Sequence, residues 1–440
     1  MRDKYDKLNA LVLGAGLSGE WAARLLLSRG CTVTVMDEGE SNLRITNCKL
    51  EVKNNWKGGL PDDAFDVCVA SPAFALNHPW IVACAERNIP VISELELGAY
   101  YWRGKILAIT GSKGKSSLVK FCADTLNSNG EQASPAGNYG IPLCQLVLEN
   151  SHLKWAVTEV SSFQMEHSPT FHPTIAILLN LQPDHLDRHG TMEEYRAMKF
   201  RMFANMGEGD YALLPHGFDA EGVMPVAVPC HRFGADVASD WRYAEHTVAG
   251  PSGLRVACDG AWFDNDVLGP AAAAGVAALL RAGVSVHTLE DGLKNFRPLA
   301  HRMQTIGVDA RGVTWVDDSK ATSLTALAAA LRMARKPVRL IAGGVLKEND
   351  LIFLKEVLVK TTKKVYLIGQ CAGQMADAWA PVVSCEICGT IERAVSMAAQ
   401  EAQPSESVLL SPGTASFDQF SGYRERGERF TQLVRRVAGL

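Results

Sequence analysis

No apolar run in the chain reaches the ~18 residues that a membrane-crossing helix needs, so membrane insertion is not expected. Neither sign of charge is in excess. The 44 basic side chains stand against 48 acidic ones, a net −4, and this balance points to neither a nucleic-acid nor an anionic-membrane surface. There is no disulfide pattern either. The eleven cysteines are scattered and odd in number, which in a long chain favours a reducing cytosol. The single Cys-x-x-Cys, Cys385–Cys388, lacks the second pair or nearby histidine that would complete a metal site. Met1–Asn9 is charged and has no apolar stretch of signal-peptide type, so a cytoplasmic protein is expected. Repeats of fixed period and low-complexity linkers are also missing. What remains is ordinary globular composition, 47% hydrophobic and 21% charged over 440 residues, enough for two or three domains.

Short apolar runs alternate with helical stretches in three blocks. Leu8–Gly14 reads as a strand, Glu20–Ser28 as a helix and Thr32–Met36 as a strand ending at Asp37, a Rossmann-like βαβ unit. Val67–Ala70 and Pro90–Ile92 extend it into a small open parallel sheet. A second block opens on the strand Lys105–Thr110 and a helix over Ser116–Ser128. It continues with strands at Ala156–Glu159, Thr174–Leu179 and Tyr211–Leu214 and a helix over Thr191–Met206. Val228–Val267 alternates as an antiparallel patch would, and Ala271–Ala282 is an alanine-rich helix. In the third block Val313–Asp317, Val338–Ala342, Lys364–Ile368 and Ser407–Leu410 are strands. Ser323–Ala334, Ile391–Ala402 and Arg424–Val437 are its helices. The expected class is α/β, with domains over 1–100, 101–296 and 297–440.

Two glycine loops carry the first chemical signals. Gly14-x-Gly16-x-x-Gly19, between a strand and a helix, lets backbone N–H groups approach a diphosphate, and Asp37 can bind a ribose or sugar hydroxyl. NAD or another nucleotide diphosphate would satisfy it, and so would a purely structural turn. The second loop, Thr110-Gly111-Ser112-Lys113-Gly114-Lys115-Ser116-Ser117, is not a strict P-loop, because Ile109 stands where the first glycine belongs. Its glycines still admit phosphate oxygens, Lys115 can neutralise the β- and γ-phosphates, and Ser116 can offer its hydroxyl to Mg²⁺. Packing gives no reason to place two lysines among glycines at such a turn. Glu159 and His185 each follow a buried strand, at the end where α/β sheets hold ligands, and are metal-site candidates.

Further segments join these in one order along the chain: E-V-S-S-F-Q at 159–164, N-L-Q-P-D-H-L-D-R-H at 180–189, Y-R-A-M-K at 195–199, H-R-M-Q at 301–304, D-D-S-K-A-T-S at 317–323 and L-L-S-P-G-T-A-S-F-D-Q-F at 409–420. Together with the 110–117 loop they resemble the Mur ligase family over almost the whole chain. The S-S-F-Q and S-F-D-Q-F segments are similar to those of its glutamate-adding members.

The resemblance implies a Rossmann-like N-terminal domain for a UDP-sugar, a central P-loop-type ATPase domain and a C-terminal Rossmann-like domain for glutamate. It implies ATP-dependent addition of D-glutamate to UDP-N-acetylmuramoyl-L-alanine through an acyl phosphate, in peptidoglycan precursor synthesis, by a monomer. Gly14, Gly16, Leu17, Ser18, Gly19, Asp37, Ser71 and Asn138 would face the UDP-sugar. ATP would meet Gly111, Ser112, Lys113, Gly114, Lys115, Ser116, Ser117, Arg302 and Asp318. A pair of Mg²⁺ ions would involve Ser116, Glu159, His185 and a carbamylated Lys199, which by pattern alone is a helix-surface lysine. Glutamate would meet Lys320, Thr322, Lys347, Ser416 and Tyr423, the last standing where the family more often has Phe. Lys115, His185, Lys199 and Lys320 form the implied catalytic set.

The chain departs from the family in three places. Lys113 replaces the usual Asn, Leu268–Gly275 lacks the His-Asn-x-x-Asn expected to reach adenine, and Gly343–Lys347 lacks the Asp or Gly often found before that lysine. Rival readings are a ligase adding L-glutamate or another amino acid, a folylpolyglutamate synthetase-like ligase, an NAD-dependent oxidoreductase and a non-catalytic nucleotide-binding regulator. The first glycine loop argues against the folylpolyglutamate reading. The 110–117 loop and D-D-S-K-A-T have no place in an oxidoreductase.

Overall fold

The computed structural model describes residues 4–41, 43–220, 224–347 and 350–440. The short apolar runs become strands, which gather into three sheets. In the first, β1 (Asn9–Leu13), β2 (Thr32–Met36), β3 (Leu50–Lys53), β4 (Val67–Ala70) and β5 (Val91–Ser93) are parallel, in the order β3-β2-β1-β4-β5. The order reverses between β1 and β4, and the crevice beyond their C-terminal ends is where such sheets take ligands. Edge strand β3 was not foreseen. Its Leu-Glu-Val-Lys sequence is largely exposed and too short and polar to signal a strand.

The second sheet holds β6 (Lys105–Thr110), β7 (Ala133–Gly137), β8 (Trp155–Glu159), β9 (Ile175–Leu178), β10 (Tyr211–Pro215), β11 (Cys230–Gly234), β12 (Trp241–Ala244), β13 (Thr247–Ala249) and β14 (Arg255–Ala257). Its order is β14-β13-β12-β11-β10-β9-β6-β8-β7. The antiparallel patch expected over 228–267 is confined to β12, β13 and β14, since β11 joins β10 and β12 in parallel. In the third sheet β15 (Gln304–Val308), β16 (Thr314–Asp317), β17 (Val338–Gly343), β18 (Thr362–Ile368), β19 (Ser384–Gly389) and β20 (Ser407–Leu410) take the order β15-β16-β20-β17-β18-β19. Only β15 is antiparallel to its neighbour. Helices cover the sheets, as buried parallel strands require. Among the described residues no helix is long and apolar enough to cross a membrane.

By contacts the chain forms two compact units. One runs to Asp264 and includes Leu268–Asn295; the other holds Asn265–Val267 and Phe296–Leu440. The first two sheets fall in one unit because one apolar cluster runs through both, from Ala10 and Val12 through Leu97 and Leu143 to Ala156 and Ala176. The third sheet has an apolar cluster of its own on either side, around Leu340 and Trp379 and around Trp315 and Phe430.

An ionisable group lies inside the shared core. Ser93 caps the helix Glu94–Tyr101 by accepting from the Glu96 N–H at 3.0 Å. Glu94 is 3% exposed and accepts from the Cys144 N–H at 2.6 Å, at the start of the helix Leu143–Glu149. Burial raises its pKa to about 7 although the N–H groups of Cys144 and Leu143 favour the charged form. The folded state therefore holds a proton on Glu94 that the unfolded chain releases from about pH 4.5 upward. Its contribution to stability is full below that value and is lost as pH rises to about 7. Glu94→Gln removes the ionisation. Its stability relative to the parent is expected to improve by roughly a few kcal/mol between pH 5 and pH 8. Denaturant titrations at both pH values test this, and an unchanged difference would contradict it.

Candidate active site

Strand β6 delivers Thr110 to the loop, and the helix Lys115–Ser128 begins at its end. Gly114 takes the N-cap position with φ +86°, a conformation that L side chains resist, and no side chain caps the helix. Its first turn is thus presented to an anion with the positive end of the helix dipole behind it. The Lys115 ammonium folds back to donate to the Gly111 carbonyl at 2.8 Å and the Ser112 carbonyl at 3.1 Å.

The first half of the loop is committed elsewhere. Asn180 Oδ1 accepts from the N–H groups of Ser112 (3.1 Å) and Lys113 (2.9 Å), and its Nδ2 donates back to Lys113 O at 3.0 Å. Ser112 Oγ is held by Gln182 and by Tyr195 OH at 3.2 Å. Ser112 therefore builds the loop, and the surface left for phosphate is Gly114–Ser117. The Lys113 ammonium sits 3.2 Å from Asp184, on the solvent side.

Glu159, at the end of β8, is 3% exposed. Its Oε1 accepts from Asn138 Nδ2 at 2.9 Å, while its buried Oε2 has no hydrogen-bond partner. An orphaned buried carboxylate oxygen beside a phosphate loop suits a hard cation such as Mg²⁺. Lys199 is not the surface lysine that its pattern suggests. The helix Met192–Phe200 turns it under the loop, 2% exposed, and its Nζ donates to the Gly111 carbonyl at 3.1 Å. Burial first, and then the Lys115 charge, lower its pKa to about 7. His185, with φ +55° at the start of the turn Leu186–His189, keeps its ring half exposed, 4.8 Å from the Phe163 ring and 3.9 Å from the Asp184 carboxylate.

In the first sheet Gly19 lies so close to the loop that a Cβ would stand 1.8 Å from Gly14 O, which fixes helix against turn. Asp37 closes that turn, accepting from the N–H groups of Ala15 (2.6 Å) and Gly39 (2.8 Å). Gly16 faces open space, Leu17 is 60% exposed, and Ser18 is half-buried beside it. Ser71 follows β4 and donates its N–H to Leu13 O at 2.8 Å, so both loops meet at the point where the strand order reverses. Asn138 is exposed and its amide is turned to Glu159.

Arg188, which sequence reasoning passed over, joins this crevice to the second sheet. Its guanidinium donates to the Pro72 carbonyl (2.6 Å), the Phe74 carbonyl (2.8 Å) and Glu166 (3.0 Å), and stacks 4.2 Å from the Phe163 ring. Its only trace in the chain was its place in the quoted 180–189 segment.

In the other unit, Asp318 follows β16 in a buried position, accepting from Ser411 Oγ (2.9 Å) and the Met303 N–H (3.0 Å). Burial raises its pKa to about 7. Neighbouring Asp317 holds His301 Nδ1 at 2.7 Å, which raises the His301 pKa. Arg302 is half-buried, and its charge acts on both Asp318 and Lys320. Lys320 places its Nζ 3.9 Å from the centre of the Tyr423 ring, a cation–π contact, and burial lowers its pKa. Ser416 is buried, Thr322 half-buried and Lys347 exposed. Where adenine-binding asparagines were missed, Ala274 is fully buried in the helix Gly269–Arg281 and Ala271 partly so.

Residues 109–248 match the model of the Mur ligase middle domain, and residues 301–413 that of the Mur ligase glutamate ligase domain. The chain is 35% identical to the UDP-N-acetylmuramoylalanine–D-glutamate ligase of Koribacter versatilis, over 97% of each chain. It is 34% identical to the enzyme of that name from Acidobacterium capsulatum, over 96% of this chain and 95% of that one. Two solved structures share its fold. UDP-N-acetylmuramate-alanine ligase MurC of Thermotoga maritima superposes with a TM-score of 0.62 at 15% identity, covering 98% of this chain and 99% of that one. MurF ligase of the same organism, in complex with ADP, gives 0.59 at 16% identity, covering 100% and 97%.

Proposed function

The chain belongs to the Mur ligase family, and from that premise we propose how its residues share out the work of an ATP-dependent ligase that adds D-glutamate to UDP-N-acetylmuramoyl-L-alanine. The observation that carries the activity is identity at this level, over the full length, with curated D-glutamate ligases. The oxidoreductase reading is set aside with it.

A carboxylate and an ammonium do not condense in water, because the carboxylate oxygen is a poor leaving group. Transfer of the ATP γ-phosphoryl group to the alanyl carboxylate makes an acyl phosphate. The deprotonated glutamate amine then attacks the carbonyl, and the tetrahedral intermediate expels phosphate. The protein's part is positioning and charge stabilisation. The Gly114–Ser117 turn and Lys115 would hold the phosphates, supported by the open N-terminus of Lys115–Ser128 and the Lys115 ammonium. Arg302 and Asp318 would complete the nucleotide's surroundings. The crevice at Gly14–Gly19, Asp37 and Ser71 would take the UDP-sugar. Lys320, Thr322, Lys347, Ser416 and Tyr423 would bind glutamate, cations and hydroxyls being suited to its two carboxylates.

Ser116, Glu159 and His185 would hold Mg²⁺, supported by the orphaned Oε2 of Glu159. When bound, the metal would neutralise charge on the transferring phosphoryl group. A buried amine with a pKa near 7 is partly neutral at physiological pH, the form that reacts with CO₂, so Lys199 is a fit site for carbamylation. We assign the domains to 1–100, 101–296 and 297–440, and expect a cytoplasmic monomer.

Phosphate release is the test, with ATP, UDP-N-acetylmuramoyl-L-alanine and either D- or L-glutamate. Release with the D-enantiomer alone is expected. Release only with L-glutamate would transfer the enzyme to a different acceptor, and release with neither would refute the reading.

A further inference from the structure

Arg426 is 1% exposed, on the first turn of the helix Tyr423–Ala438. Its Nε donates to Ser319 Oγ at 3.0 Å, and one terminal nitrogen donates to Ser319 O at 3.0 Å and Thr414 O at 3.2 Å. Ser319 Oγ in turn donates to Tyr423 O at 2.8 Å. One guanidinium thus ties three segments: the D-D-S-K arm carrying Lys320, the loop carrying Ser416, and the helix start carrying Tyr423. A fourth segment joins through the loop. Ala415 pairs with Val345 in both directions, at 2.8 and 3.0 Å, two residues before Lys347.

The acceptors around this guanidinium are carbonyls and a hydroxyl. Among the described residues no carboxylate forms an ion pair with it, and its other terminal nitrogen is buried with no partner. The nearest counter-charges, Asp418 and Asp317, act on the guanidinium only from beyond ion-pair distance, so its burial rests on the carbonyls and hydroxyl that fix it in place.

We propose that Arg426 is a positioning residue for the acceptor amino acid: through Ser319 and Thr414 it holds the segments of Lys320, Ser416 and Tyr423 in register. This rests on the glutamate-binding role given to those residues above. Arg426 acts through them and does not itself touch the substrate.

Steady-state kinetics of the full-length enzyme with each of its three substrates varied decide the matter. In Arg426→Met the KM for D-glutamate is expected to rise roughly tenfold or more, the usual scale for losing charge-assisted hydrogen bonds. The KM values for ATP and the UDP-sugar should stay within about twofold, since the hydrogen bonds of Arg426 go to Ser319 and Thr414 and not to Arg302 or Asp318. Arg426→Lys keeps the charge but not the fork, so its glutamate KM should fall between parent and Met variant. Ser319→Ala breaks the link to Tyr423 without touching the charge and should raise the glutamate KM alone. That variant decides if Arg426→Met does not fold. An unchanged glutamate KM in a folded Arg426→Met, or in Ser319→Ala, overturns the proposal. So does a parallel shift of all three KM values with a lowered Tm. A parent enzyme that releases no phosphate would instead defeat the assigned function.

Discussion

Lys115→Ala is expected to lower kcat for phosphate release by roughly 10²- to 10³-fold, the cost of removing a main electrostatic stabiliser of a transferring group. The expectation follows from the loop itself. Asn180 holds the N–H groups of Ser112 and Lys113, so those cannot turn to phosphate. The charge that develops at the Gly114–Ser117 turn is left to the uncapped helix and the Lys115 ammonium. Overall stability should change little, because the ammonium makes its contacts with two loop carbonyls of a strand–helix turn whose other ties remain. Burst and steady-state phosphate measurements on the folded variant check this. Activity within a fewfold of the parent would remove the loop from the chemistry.

The second large effect concerns Lys199. Its amine lies beneath the loop, buried against the Gly111 carbonyl and 4.6 Å from the Tyr195 ring. Burial lowers its pKa to about 7, so the neutral, nucleophilic fraction grows as pH rises through that value. Carbamylation converts a buried cation into an anion able to face a metal. Lys199→Arg, which keeps the cation and cannot be carbamylated, should lose on the order of 10²-fold or more in kcat. The parent enzyme, exhaustively equilibrated in CO₂-free buffer, should lose activity and regain it with bicarbonate, and carbon-13 NMR with labelled bicarbonate should show a carbamate signal absent from Lys199→Arg. A fully active CO₂-free enzyme together with a near-normal Lys199→Arg would refute this.

Much of this could be read along the chain. β2, β4, β6 and β20 stand at the boundaries that apolar runs and flanking glycines suggest, because a strand buried on both faces is a short continuous apolar segment. The edge strands β3, β15 and β19 escaped notice, since one side of each meets solvent and the apolar signal is diluted. Lysines and glycines at strand–helix turns marked the phosphate loop because packing offers no reason for them there. The polar residues that hold the site were harder. Asn180, Arg188 and Arg426 act on backbone carbonyls and N–H groups far away in sequence, and such partners leave no local pattern. Lys199 was misjudged for a related reason. Helical position shows which face a residue takes, but not that the 110–117 loop will pass over that face.

The central claim is that an amide forms through a phosphorylated carboxylate, and oxygen isotope transfer tests it most directly. UDP-N-acetylmuramoyl-L-alanine labelled with ¹⁸O in the alanyl carboxylate is incubated with the enzyme, ATP, Mg²⁺ and D-glutamate, and the phosphate is analysed by mass spectrometry. Phosphate carrying one ¹⁸O for each amide formed is the expected result. Phosphate without label, matched to turnover, would mean that water and not the carboxylate attacks ATP, and would contradict the account.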